Sequence, residues 1–137
     1  SGTRPHFLGL DRTMMLTSSA FERLAAEALD SLPPFFQEQM SNVEVLIKPW
    51  PSRRELKEAG VEPGYTLLGL YQGIPLTERT HNYNLVSPDT ITLYQGPIEQ
   101  AASSPEDIAE VVRHTVIHEF AHHFGISDDR LRELGAY

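Results

Sequence analysis

Residues 104–128 read SPEDIAEVVRHTVIHEFAHHFGISD, and this run organises the rest of the chain. Ser104 offers an N-cap hydroxyl, Pro105 suits the first helical position, and Glu106 and Asp107 lie on the positive end of the helix dipole. Ile108, Val111, Val112, Thr115, Val116 and Phe120 then recur with helical spacing. Gly125 is a natural stop because it takes positive φ without steric cost. The run predicts one continuous helix over 105–124, after which Ser127 caps a short last helix ending near Leu134.

Inside that helix, His118-Glu119-Phe120-Ala121-His122 has the pattern H-E-x-x-H. Residues four apart on an α-helix are about 40° apart around the axis, so both imidazoles project from one face and can share an ion. Glu119 lies about 100° further round, where it reaches a water on that ion without being a ligand. Catalytic zinc takes three protein ligands and keeps a position open for water. Beyond the turn at Gly125, Asp128 supplies a carboxylate that can fold back towards the same ion, so the candidate ligands are His118, His122 and Asp128. Asp129 is a lesser candidate, and both acids also suit an ordinary helix start. At this composition H-E-x-x-H arises by chance at roughly 2 %, and the run extended through Gly125 and Asp128 at below ~0.01 %. The longer run therefore carries the inference.

Outward from the motif, Thr17-Ser18-Ser19 precedes Phe21, Leu24, Ala25, Ala28, Leu29 and Leu32 at helical spacing, which predicts a helix over about 18–31. Leu32-Pro33-Pro34 ends it. Val43, Val45 and Ile47 alternate with Glu44, Leu46 and Lys48, which predicts a strand over 42–48. Ser52 to Gly60 reads as a short helix with a mainly solvated face. Tyr65 to Tyr71 is a second strand between glycines 64 and 73. Gly73 to Pro88 is a long loop or a hairpin with a short strand near Tyr83-Asn84-Leu85-Val86. Thr90 to Tyr94 is a further strand, which Gly96-Pro97 is expected to end.

The chain has 137 residues, of which 40 % are hydrophobic and 22 % charged, so a single domain is expected. Its formal charge of −8 would repel a phosphate backbone at long range, which argues against nucleic acid as a partner. With no cysteine, any metal must be held by His, Asp or Glu. No stretch reaches the ~18–20 apolar residues of a membrane span and no basic-then-apolar leader is seen, so no membrane is expected and a cytoplasmic setting is.

The run His118 to Asp128 resembles the zincin metallopeptidases, and its glycine turn with a third ligand ten residues after the first histidine is similar to metzincin spacing. Two departures are visible: Asp128 stands where metzincins usually have a third His, and no methionine follows Met40 to form a Met-turn. Length and a motif near the carboxyl end resemble small bacterial proteins described as minimal metalloprotease-like domains. The resemblance implies an α+β fold with a small, mostly antiparallel or mixed sheet packed on the motif helix, one zinc ion, Glu119 as general base and a peptide or protein substrate. By the same analogy, Ile91 to Gln95 would be the edge strand that aligns the substrate. Tyr83, Tyr94, His81, His114 and His123 have the chemistry to stabilise a developing oxyanion, and the sequence places none of them there. Two other readings compete: a zinc-containing binding module without useful turnover, and a metal-dependent ribonuclease, which Glu119 and the acidic charge disfavour.

Overall fold

A computed structural model of the chain describes residues 16–61, 66–73 and 89–136. The strand expected near 83–86, together with His81 and Tyr83, lies outside the described residues. The ordered elements are α1 (Ser18–Asp30), α2 (Pro34–Met40), β1 (Val43–Lys48), α3 (Arg53–Glu58), β2 (Gly69–Gln72), β3 (Asp89–Tyr94), α4 (Gln95–Ala101), α5 (Ile108–Phe124) and α6 (Asp128–Glu133). The architecture is α+β, with a small mixed sheet, as the sequence implied.

The three strands lie in the order β1-β3-β2, with β1 parallel and β2 antiparallel to β3. A central strand is covered on both faces, and Ile91, Thr92, Leu93 and Tyr94 are all buried. β1 is instead half-buried on alternate residues, as its period-two pattern predicts. This corrects the expectation for Ile91 to Gln95. Hydrogen-bonded on both sides, β3 has no edge to offer; the strand beside the motif helix with one side unpaired among the described residues is β2.

The core forms where α5 is enclosed by α1, the sheet and α4. α1 starts where Thr17 accepts a bond from the Ala20 N–H at 3.1 Å, and it turns Phe21, Ala25 and Ala28 inward. α5 buries Ile108, Val112, Thr115, Val116, Ile117, Phe120 and Ala121, so most of its circumference is inside. Phe120 makes edge-to-face contacts with Phe36 at 5.7 Å and Tyr71 at 6.1 Å, which join α2, α5 and β2. Each such pair adds about 0.5–1.5 kcal/mol beyond area burial.

Two helices depart from expectation. Pro34 does end α1, but it occupies the first turn of α2, where its missing N–H has no intrahelical partner to lose. Gly96 and Pro97 likewise lie in the first turn of α4 and begin a helix directly after β3. The start of the motif helix also differs. Pro105–Asp107 is a 3-10 turn, Ser104 makes no side-chain cap bond, and the α-helix proper begins at Ile108. The second strand is shorter than expected, beginning at Gly69.

Candidate active site and metal centre

His118 and His122 stand one turn apart on the solvent-facing ridge of α5, both exposed. His114 continues that ridge, its ring centroid 4.0 Å from that of His118. Burial, and then the neighbouring His118, depress the His114 pKa against an opposing pull from Glu110.

Glu119 lies further round the helix, beside β2, and is half-buried. Its seat depends on Gly69. A Cβ there would fall 2.8 Å from Thr115 Cγ2, 3.1 Å from the Thr92 carbonyl and 3.6 Å from Glu119 Cγ, so the strand backbone lies directly on the helix one turn below the acid and beside it. Burial raises the Glu119 pKa above the ordinary carboxylate value, while the Tyr71 backbone N–H, His122 and His118 pull it back. The carboxylate is therefore a better proton acceptor than a solvated glutamate, and one hydrogen bond orients it.

A cavity of about 320 Å³ opens beside this group, lined by Leu67, Leu70, Tyr71, Glu119, His122 and His123. Glu58 and Ala59, at the end of α3, form a further wall, so a helix expected to present a solvated face reaches the site. Tyr71 is a site residue that the sequence does not single out. Its hydroxyl donates to Asp89 Oδ2 at 2.9 Å, its ring packs 4.3 Å from that of His123, and its backbone serves Glu119. In sequence it is one more aromatic in a strand-like run, and no spacing rule links it to a helix that begins at Ile108.

α5 ends as predicted. Gly125 takes φ of 69°, and the Ile126 N–H donates back to the Ala121 carbonyl at 2.9 Å. Ser127 caps α6 by accepting from the Arg130 N–H at 3.1 Å, and Asp128 is the first, exposed residue of that helix. Among the described residues no three His, Asp or Glu side chains are placed to hold one ion. The structure thus carries His118, Glu119 and His122 on one helix and Asp128 at the start of the next. As a donor set, two imidazoles and a carboxylate fit zinc, and two of the three stand ready on one ridge.

Of the described residues considered as oxyanion donors, Tyr94 is excluded by burial. It is fully enclosed and its hydroxyl has no hydrogen-bond partner of good geometry. Burial, then the Glu55 and Glu119 carboxylates, push its ionisation well upward. His114 lies a turn along the ridge, and His123 lines the cavity.

The sequence model of the zincin-like metallopeptidases matches residues 40–136, the greater part of the chain. The chain belongs to this family. Membership spans the whole site: the match begins at the end of α2 and runs through α3, β2 and the motif helix to α6, so every wall of the cavity falls within it. Among solved structures, a conserved hypothetical protein from Thermo thermophilus is similar at 24 % identity over 80 % of this chain and 94 % of that one, with a TM-score of 0.52. That likeness shows the fold. No curated protein matches the chain significantly.

Proposed function

We propose that this zincin-like domain is a zinc-dependent peptidase in which His118, His122 and Asp128 hold the metal and Glu119 is the general base. The observation that carries the proposal is the placement of Glu119: an acid held by the Tyr71 N–H, raised in pKa by burial, and flanked by two exposed imidazoles of the same helix. Zinc at such a site supplies Lewis acidity, which polarises a carbonyl and makes water acidic at neutral pH. Glu119 accepts the proton of the attacking water and passes it to the leaving amine. The β2 edge runs beside Glu119 and offers backbone groups to an extended peptide, the role expected of residues 91–95 and supported here for 69–72.

Family membership supports a hydrolase with a metal site, and the acids Glu58 and Glu119 in the cavity disfavour a phosphate-rich substrate. The ribonuclease reading falls further behind. One competitor remains, a zinc-containing binding module without useful turnover.

The test is zinc stoichiometry and hydrolysis of an unstructured protein by wild type, Asp128→Ala and Glu119→Gln. One zinc per chain, weakened in Asp128→Ala, with chelator-sensitive cleavage reduced at least about 100-fold in Glu119→Gln, is the expected result. Zinc bound without cleavage would favour the binding module, and no zinc at all would sink both.

A further inference from the structure

We propose that His123 is a substrate-contacting residue, its imidazole hydrogen-bonding the backbone of a peptide that passes over the end of β2. The inference rests on the peptidase reading and concerns a residue that the motif does not assign. His123 follows Glu119 by four positions and so shares its side of α5, and both line one cavity together with His122. Its ring is exposed yet fixed: it packs 4.3 Å from the Tyr71 ring, and Tyr71 is itself tethered to Asp89 at 2.9 Å. The ring's outer edge lies against the end of β2, because a Cβ on Gly73 would fall 3.2 Å from His123 Nε2 and 3.3 Å from Cε1. Glu119 and His123 thus reach one cavity beside the strand that would take the peptide. An imidazole carries a donor and an acceptor, which is what a peptide bond laid along a strand requires.

The contact exists before and during the reaction, so its loss raises KM and leaves kcat nearly unchanged. Zinc-loaded His123→Phe keeps an aromatic ring on Tyr71 and removes both nitrogens. It is expected to raise KM about tenfold with kcat within about twofold, while His123→Gln recovers most of the loss. Gly73→Ala, which crowds Nε2 with His123 intact, is expected to raise KM in the same direction.

A second readout does not need turnover. In Glu119→Gln, saturating peptide is expected to protect His123 from diethyl pyrocarbonate, read by peptide mapping. A wild-type KM in His123→Phe, a loss confined to kcat, or unprotected His123 would each overturn the contact. Protection of His123 in a zinc-loaded protein that never cleaves would instead retain the contact and remove the peptidase reading.

Discussion

At Gly69 one methyl group decides whether the candidate base keeps its seat. The Thr115 methyl at 2.8 Å has little room to retreat, because the Thr115 hydroxyl is bound to the Val111 carbonyl at 2.7 Å, and the Thr92 carbonyl at 3.1 Å is backbone. Gly69→Ala must therefore part β2 from α5. We expect about 1–3 kcal/mol of destabilisation in thermal melts, together with a loss in kcat/KM larger than that of an equally destabilised core variant. A second residue-scale expectation concerns Glu55. Burial opposes its ionisation, but Lys48 at 2.8 Å, the Ser52 N–H and the nearby Tyr94 hydroxyl outweigh it and hold the pKa at about 2, against an ordinary value of 4.5. A depressed acid contributes stability that is complete above the unfolded value and is lost as pH falls through 4.5 towards about 2. The Lys48 ammonium is half-exposed, so the pair contributes about 0.5–1 kcal/mol, and Lys48→Met should flatten that acid limb in urea titrations.

Among elements, those with a cap at one end and an unambiguous period are legible in the sequence: α1 from Thr17, β1 from its alternation, and the α5–Gly125–α6 turn. Helices that begin with proline are not. Pro34 and Pro97 read as breakers, yet a first-turn proline loses no intrahelical bond, and only packing distinguishes a stop from a start. The place of β3 in the sheet is also hidden, because alternation in 90–94 says that a strand exists and not which neighbours it has. The Gly125 turn yields an element-scale prediction. Any Cβ at φ of 69° is strained, so Gly125→Ala should cost about 1 kcal/mol, and Gly125→Asn less. Because the same turn leads to Asp128, one of the proposed ligands, both should weaken zinc binding in competition with a chelating dye, in that order.

Across the whole molecule, the candidate site is legible as a line of residues and not as a volume. His118, Glu119 and His122 follow from helical geometry, whereas Tyr71, Leu70 and the end of α3 join them only through the packing of β2 and the Phe36–Phe120–Tyr71 contacts. Long-range neighbours of this kind leave no spacing in a single chain. No helix among the described residues is long and apolar enough to cross a membrane. The sealed hydroxyl of Tyr94 gives the folded state an intrinsic optical reporter. Raising the pH while following tyrosinate absorbance near 295 nm should leave the signal short of the amplitude of five phenols, with the missing part appearing only when the chain unfolds. The alkaline limit of this fold would thus be recorded by an aromatic side chain that never meets solvent while the protein is intact.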